Sequence, residues 1–197
     1  MGDQPSFIAE ARREQIIKAT IEVLDEIGYV NLSLAKIAKK AKVSTGLISY
    51  HFEDKEDVLN NTLVYLLELQ FNYIKERVSK KESAYDQLIA FIDASLAYQG
   101  THGINNIALI EIIFNARTEK NIPYYKIATD EEDPLYMYLQ EILAYGQNTN
   151  EFAEFNPKYV ATMIQGAIAE SMLMNGERFN LEAYKNDLVN MVTKMIK

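Results

Sequence analysis

The stretch from Ser33 to Val58 constrains the fold of this chain more than any other part of the sequence. Ser33 is a good N-cap for a short helix over Leu34 to Ala41, whose apolar residues repeat at the spacing of one buried stripe: Leu34, Ile37, Ala38 and Ala41. Ser44 offers a second N-cap, and a second short helix is predicted over Thr45 to His51. Two short helices joined by so tight a turn form a helix-turn-helix.

The second short helix has a polar outer side. Its apolar residues, with Phe52 just beyond, are predicted to face the core: Leu47 and Ile48. The outer residues are small or hydrogen-bonding, and they suit a DNA major groove about 12 Å wide: Thr45, Gly46, Ser49 and Tyr50. A glycine inside a helix costs about 1 kcal/mol. Two reasons remain open for Gly46, namely close approach to a DNA strand or tight packing against the first helix.

Charge is distributed unevenly along the chain. Residues 33–52 contain four lysines and no acidic residue, whereas the whole chain has 20 Lys+Arg, 28 Asp+Glu and a net charge of −8. Because phosphate neutralisation supplies most non-specific affinity for DNA, this local charge of +4 predicts a surface for a polyanion. Asp54 and Asp57 predict a capped start for a third helix, where Lys55 opposes the helix dipole unless an external phosphate binds there.

This region resembles the DNA-binding signature of the TetR (tetracycline-repressor-like) transcriptional regulators. The matching residues are Ile37-Ala38, Val43-Ser44-Thr45-Gly46, Tyr50-His51-Phe52, Lys55 and Leu59. The resemblance implies an all-α fold of about nine helices, in which a three-helix headpiece precedes a helical effector-binding and dimerisation domain. With the cap residue Ser33 included, the candidate DNA-binding residues are Ser33, Ser44, Thr45, Gly46, Ser49, Tyr50, His51 and Lys55. Two departures bear on the operator sequence rather than on the fold: Ile48-Ser49, where an aromatic residue is frequent, and the acidic pair Glu53-Asp54.

The remaining periodic segments complete the helical prediction. The predicted helices outside the short pair are Phe7–Ile27, Lys55–Lys80, Ala84–Tyr98, Ile104–Ala116, Pro134–Gly146, Lys158–Asn175 and Leu181–Ile196. Arg12 and Arg13, near the start of the first helix, either approach the DNA backbone or are plainly solvated. Residues 99–103 are predicted to be a break, and the acidic run at 130–133 a solvated helix start. We expect a DNA-binding domain over residues 1–54 and an effector-binding and dimerisation domain over 55–197.

The last two predicted helices carry stripes that suit a homodimer. Four residues of the final helix repeat at intervals of 4, 3 and 4: Tyr184, Leu188, Met191 and Met195. Its partner helix has Met163 and Ala167 on one side, beside small residues that allow another helix to come close. Two such helices from each chain would form a four-helix dimer interface. The alternative is that both helices pack only within their own chain.

The large predicted domain is rich in aromatic residues, as a small-molecule pocket often is: 11 of the 13 tyrosines lie after residue 60. Glu111 stands inside an apolar run, where an unpaired carboxylate is costly. It either reaches Arg117, Lys120 or a surface groove, or meets the positive group or hydroxyl of a ligand. The candidate ligand-binding residues are Phe91, Glu111, Phe114, Tyr138 and Glu170. They suggest a cationic or amine-bearing effector.

Composition and motifs narrow the class of protein. The chain has no cysteine, which excludes disulfides and thiolate sites, and with no long apolar run or signal peptide it is predicted to be cytoplasmic, without a membrane partner. His51 and His102 lack the spacing of a metalloprotease, and glycine loops or a nucleophile elbow are missing, so we expect neither enzyme activity nor a cofactor or metal.

We expect a dimeric repressor that binds a palindromic operator in double-stranded DNA and is released when an effector shifts the long helix; an activator or a ligand-blind role stays open. The rival is a helical partner-binding or ligand-binding module without a DNA role.

Overall fold

Nine α-helices make up most of the computed structural model, which describes residues 7–118, 120–126, 133–174 and 179–197. The described ranges contain no β-strand, and the predicted all-α fold is confirmed. The helices are α1 (Phe7–Ile27), α2 (Leu34–Ala41), α3 (Thr45–His51), α4 (Lys55–Val78), α5 (Ala84–Thr101), α6 (Gly103–Asn115), α7 (Pro134–Asn148), α8 (Pro157–Ser171) and α9 (Leu181–Ile196).

The bounds of α1, α2, α3 and α9 agree with the sequence prediction, and differences are found between α5 and α6 and at the end of α8. The break predicted at residues 99–103 is wrong, because α5 continues to Thr101 and only His102 separates it from α6. The polar side chain that suggested a break has a structural use: the amide of Gln99 donates a hydrogen bond to the carbonyl of Ile168 in α8 (2.9 Å). α8 ends at Ser171, before the predicted end at Asn175, which lies outside the described residues.

The end of α1 and the start of α7 illustrate how local chemistry sets the bounds of helices. Gly28 ends α1 with a φ of +70°, a left-handed conformation that glycine adopts without steric cost. Asp133 caps α7, since its carboxylate accepts hydrogen bonds from the backbone N–H groups of Leu135 (2.9 Å) and Tyr136 (3.4 Å). The rest of the predicted acidic helix start, residues 130–132, lies outside the described residues.

The chain divides into two compact units, each with its own apolar core. Unit 1 takes the described part of Met1–Glu68 and Gly103–Ile127, and unit 2 the described part of Leu69–His102 and Ala128–Lys197. α4 contributes residues to both. In unit 1, α6 packs on α1, and the core includes Ile16, Leu24, Ile37, Ile48, Leu59 and Ile112. In unit 2, α5 packs on α7, α8 and α9, with a core that includes Leu88, Phe91, Ile92, Leu139, Leu143, Ile164 and Leu188.

Packing and function need not divide the chain at the same residue. The expected DNA-binding domain at residues 1–54 and the effector-binding and dimerisation domain at 55–197 are functional assignments and stay predictions. Among the described residues, no helix is both long enough and apolar enough to cross a bilayer.

Candidate nucleic-acid interface

Serine caps start both short helices of the predicted helix-turn-helix. The hydroxyl of Ser33 accepts a hydrogen bond from the N–H of Lys36 (3.4 Å), and that of Ser44 accepts one from the N–H of Leu47 (3.1 Å). Lys42, with a φ of 55°, ends α2 in a left-handed conformation and turns the chain towards α3. These local features set where α2 begins and ends and where α3 begins.

α3 buries one residue completely and leaves a polar face exposed. Ile48 is buried, as is Phe52 directly after the helix. Four of the residues predicted to face DNA are exposed, and Tyr50 keeps 80% of its surface accessible: Thr45, Gly46, Ser49 and Tyr50. A Cβ atom added to Gly46 would meet only the hydroxyl of Ser44, at 3.8 Å. Tight packing therefore does not explain Gly46, and the space beside its backbone is open.

His51 is the last residue of α3 and lies beside its exposed face. Its ring lies against that of Tyr50 in a T-shaped arrangement, with 5.0 Å between the centroids. Partial burial and the positive charges of Arg13 and Arg12 lower the pKa of the imidazole. The neutral form is thus favoured near pH 7, and a neutral imidazole offers one N–H donor to an acceptor such as a phosphate oxygen.

The start of α4 is capped by Asp54 as predicted, but Asp57 accepts the N–H of Glu53 and not that of Asp54, so the predicted capping box is incomplete. The carboxylate of Asp54 accepts a hydrogen bond from the N–H of Asp57 (2.8 Å), and that of Asp57 accepts one from the N–H of Glu53 (3.0 Å). The ammonium of Lys55 lies 4.7 Å from the centre of the Tyr29 ring, and burial lowers its pKa. Lys55 is therefore a partly desolvated cation at a helix N-terminus, which is a favourable position for an anion.

The positive charge of α2 is smaller than the sequence suggests. The ammonium of Lys40 forms ion pairs with Glu26 and Glu22 of α1, the latter at 3.2 Å. That of Lys36 donates a hydrogen bond to the backbone carbonyl of Asn31 (2.8 Å). Acidic residues of α1 therefore offset part of the local charge of +4 that residues 33–52 carry.

The five ligand-binding candidates are divided between the two units. In unit 2, the ring of Tyr138 lies 6.5 Å from that of Phe91, within a packed core, and Glu170 is exposed on α8. Glu111 and Phe114 belong to unit 1, where Phe114 is 57% exposed.

The carboxylate of Glu111 has a partner that the sequence did not suggest. It accepts hydrogen bonds from the backbone N–H of Tyr29 (2.9 Å) and from the side-chain amide of Asn115 (3.3 Å), rather than from Arg117 or Lys120. No pattern in the sequence points to a backbone donor 82 residues away.

The predicted dimerisation residues differ in exposure. Met163 on α8 and Met191 on α9 are 61% and 60% exposed. Leu188 is buried in the core of unit 2, and Met195 packs against that core. The hydroxyl of Tyr184 donates a hydrogen bond to the carbonyl of Ala167 (2.7 Å), which joins α9 to α8 within the chain. Met163 on α8 and Met191 on α9 are therefore the most exposed of the predicted dimerisation residues described above.

Comparison with known proteins agrees with the geometry of unit 1. A sequence model of a family described as "Bacterial regulatory proteins, tetR family" matches residues 16–62. The HTH-type transcriptional regulator BetI of Stenotrophomonas maltophilia (strain R551-3) is 37% identical over 89 residues, which cover 45% of this chain and 45% of that protein. The chain thus spans less than half the length of this curated relative.

Two further comparisons cover nearly the whole chain. The Fatty acid metabolism regulator protein of Bacillus subtilis (strain 168) is 26% identical over 187 residues, covering 92% of this chain and 94% of that protein. The crystal structure of the transcriptional regulator FadR from Bacillus subtilis in complex with stearoyl-CoA has a TM-score of 0.77 at 27% identity and covers 93% of this chain and 99% of that one. The capped helix-turn-helix of this chain lies within the residues that match the tetR family model, and its all-helical fold is similar to that of a known transcriptional regulator.

Proposed function

We propose that this protein is a ligand-responsive transcriptional repressor whose homodimer binds a palindromic operator in double-stranded DNA and is released by a small-molecule effector. The observation that carries the proposal is the exposed polar face of α3, followed directly by Lys55 at the start of α4. Since bacterial operators lie in the cytoplasm, we propose that the protein acts there. The relatives are regulators, which supports a role in binding rather than in catalysis.

On DNA, the residues of the face divide into two roles. Thr45 and Ser49 are short, exposed hydrogen-bonding side chains on α3, suited to base edges in the major groove. Residues at the two ends of the face suit phosphates, because they are hydroxyl, imidazole or ammonium donors: Ser33, Ser44, Tyr50, His51 and Lys55. Gly46 leaves room for the backbone of α3 to approach the DNA closely.

Pairing of two chains would supply the second half-site. A helix of seven residues reads few base pairs by itself, whereas a two-fold dimer reads two half-sites one or more turns of DNA apart. The exposed Met163 and Met191 support α8 and α9 as the dimerisation surface. Leu188, which is buried, and Met195, which is partly buried, would support this surface from within the chain.

For the effector, we propose a compound with a long apolar chain, of the acyl thioester class. The rings of Phe71, Phe91 and Tyr138 form an aromatic cluster in the core of unit 2, with the phenol of Tyr138 as a polar group, and such surroundings suit an apolar chain. The relatives that match nearly the whole chain are a fatty acid metabolism regulator and a protein in complex with stearoyl-CoA. A cationic or amine-bearing effector has less support, because the carboxylate of Glu111 is bonded within unit 1 and only Glu170 would remain to meet it.

Release from DNA would follow from differential affinity. An effector that binds better to one conformation of unit 2 shifts the protein towards that conformation. α4 provides a route to the DNA-binding face, since its first residues carry Lys55 and its last residues belong to unit 2. A shift of α4 would change the spacing of the two α3 helices in a dimer.

Selection of bound duplexes from random DNA tests the repressor proposal. We expect a palindrome, and sedimentation should show a dimer at micromolar concentration. A monomer without preference among duplexes at physiological ionic strength would contradict the proposal. Binding to a helical protein partner in place of DNA would support the rival class.

A thermal-shift assay tests the class of effector with stearoyl-CoA, free coenzyme A and choline. We expect stearoyl-CoA alone to raise the melting temperature and to weaken binding to the selected duplex. A ligand present at 100 times its Kd stabilises a protein by about 2.7 kcal/mol, which such an assay detects. Stabilisation by choline and not by stearoyl-CoA would establish the amine-bearing class instead.

A further inference from the structure

Arg13 occupies an unusual position in unit 1. It lies in the first half of α1, yet its guanidinium contacts the C-terminal end of α3. One nitrogen donates a hydrogen bond to the backbone carbonyl of His51. The guanidinium carbon lies 4.4 Å from the centre of the Phe52 ring. Among the described residues, Arg13 forms no ion pair. It is not plainly solvated, since it is half-buried and two of its donors are directed at protein atoms.

The second guanidinium nitrogen connects this contact to α4. It donates a hydrogen bond to the side-chain oxygen of Asn61 (2.7 Å). The amide of Asn61 donates in turn to the carbonyl (2.8 Å) and the carboxylate (2.7 Å) of Asp57. The other carboxylate oxygen of Asp57 accepts the N–H of Glu53 in the segment between α3 and α4. Arg13 is therefore the start of a hydrogen-bonded chain through α1, the end of α3 and the start of α4.

The chemistry of these contacts favours a fixed geometry. The carbonyl of His51 is one of the last four of α3, which have no partner inside the helix. A cation at that end is favourable for the helix dipole. Arginine holds several donors in one plane, so two acceptors on different helices are set at a defined separation. Lysine has a single ammonium on a flexible stem and cannot reproduce that arrangement.

We propose that Arg13 is a positioning residue for DNA binding, which fixes the end of α3 relative to the start of α4 and does not itself contact DNA. Arg13 thereby keeps Tyr50 and His51, at the end of α3, at a fixed distance from Lys55, at the start of α4. This distance would match that between the DNA phosphates that these residues bind. Arg13 lies outside the stretch of residues 16–62 that matches the family model. The inference rests on the proposed DNA-binding function and adds a residue to it that does not belong to the exposed face.

The test compares Arg13→Lys and Arg13→Gln with the full-length wild type on the duplex obtained by selection, over a range of salt concentrations. We expect both variants to bind roughly 10- to 100-fold more weakly, because each loses bonds made by a charged group. The slope of log affinity against log salt should stay unchanged. Asn61→Ala should reproduce the loss, and the double variant Arg13→Gln/Asn61→Ala should lose little more, since the two residues belong to one network.

Arg12→Gln is the matched control. Arg12 is the neighbouring arginine, exposed and bonded only to Gln15 among the described residues (2.7 Å). We expect it to leave the affinity for the selected duplex within about threefold, as for a surface charge with little structural role. Circular dichroism and melting temperature establish the folded fraction of each variant, and affinities are compared for folded protein. If Arg13→Gln does not fold, Arg13→Lys and Asn61→Ala carry the test.

Three results would overturn the inference. A phosphate contact would show as a slope lowered by about one unit per protomer in Arg13→Gln, with affinity retained in Arg13→Lys. A role in stability alone would lower the melting temperature and leave the affinity of the folded variants unchanged. Additive losses in the double variant would separate Arg13 from Asn61. Failure of the wild type to prefer any duplex would instead count against the proposed function, so the two failures are distinguishable.

Discussion

α3 and α5 are held in place by different forces. α3 has seven residues and buries only Ile48 completely, so its position depends on the cap of Ser44, the bonds of Arg13 and the burial of Phe52. α5 has eighteen residues, and eight of them are buried against α7, α8 and α9. A helix that offers most of its surface to a partner, as we propose for α3 and DNA, has little left for the core. Polar contacts therefore position the candidate DNA-binding face, whereas apolar burial holds Phe91 and Tyr138 in unit 2.

The largest effect is expected where apolar burial dominates. Phe91→Ala should lower the free energy of unfolding by about 3–5 kcal/mol, because it removes a fully buried ring and leaves a cavity in unit 2. Urea unfolding measures the change. Phe114→Ala is the control, since Phe114 is 57% exposed, and should change stability by no more than about 0.5 kcal/mol. Equal losses of unfolding free energy in the two variants would show that burial in unit 2 does not determine stability.

The exposed methionines test whether unit 2 also provides a binding surface. Met163→Glu should weaken dimerisation by at least about 2 kcal/mol, roughly 30-fold in Kd, because two-fold symmetry places the charge twice in the interface. Sedimentation equilibrium measures the dimer. Met137→Glu changes a methionine on α7 that is 46% exposed and should leave the dimer intact. Dissociation in both variants, or in neither, would argue against α8 as the dimerisation surface.

A moderate effect is expected from the cap of α3. Ser44→Ala removes the hydrogen bond to the N–H of Leu47 and should destabilise the protein by about 1 kcal/mol, within a range of about 0.5–2. Affinity for the selected duplex should fall as well, because α3 frays from the end that enters the groove. Ser49→Ala, in an exposed position on the same helix, should preserve stability and change sequence preference. A Ser44→Ala variant as stable as the wild type would show that the position of α3 does not depend on this cap.

A smaller effect should appear only on DNA. Lys55→Ala should lower the slope of log affinity against log salt by about one unit per protomer, since each phosphate contact contributes about 0.9. Lys80→Ala, which changes a lysine of unit 2 paired with Glu76, should leave the slope unchanged. An unchanged slope for Lys55→Ala would mean that this face does not meet phosphates. It would favour the module without a DNA role.

The smallest effect concerns a polar contact within unit 2. Hydrogen bonds from the N–H groups of Tyr85 and Ala84, at the start of α5, lower the pKa of Glu151 below its ordinary value of 4.5. A carboxyl whose pKa is lowered by folding stabilises the folded state above its ordinary pKa, and this contribution is lost as the pH falls through the lowered value. Glu151→Gln should therefore melt lower than the wild type at pH 7, with the difference shrinking towards pH 3.

The neighbouring acid Glu154 offers a matched control for that titration. Glu154→Gln should follow the wild-type melting temperature across the same pH range, because no hydrogen bond to its carboxylate is found among the described residues. A difference in melting temperature between Glu151→Gln and the wild type that stays constant from pH 7 to pH 3 would contradict the lowered pKa of Glu151.

Much of the candidate interface could be predicted because its determinants are close together in sequence. Ser33 and Ser44 cap helices within three residues of themselves, and Asp54 caps α4 by accepting the N–H of Asp57. The net charge around α2 could not be predicted in full, for the opposite reason. Lys40 is neutralised by Glu26 and Glu22, which lie on another helix, and a count along the sequence does not include them.

The sequence by itself determined the helices, the caps and the polar face of α3, since hydrogen bonds and apolar periodicity over a few residues set these features. Only the tertiary structure decided which distant groups meet. It brought Glu111 to the N–H of Tyr29, 82 residues away, and Arg13 to His51 and Asn61, 38 and 48 residues away. Such pairs depend on how helices pack, because a side chain finds its partner among atoms that packing brings within about 3 Å, wherever they stand in the chain.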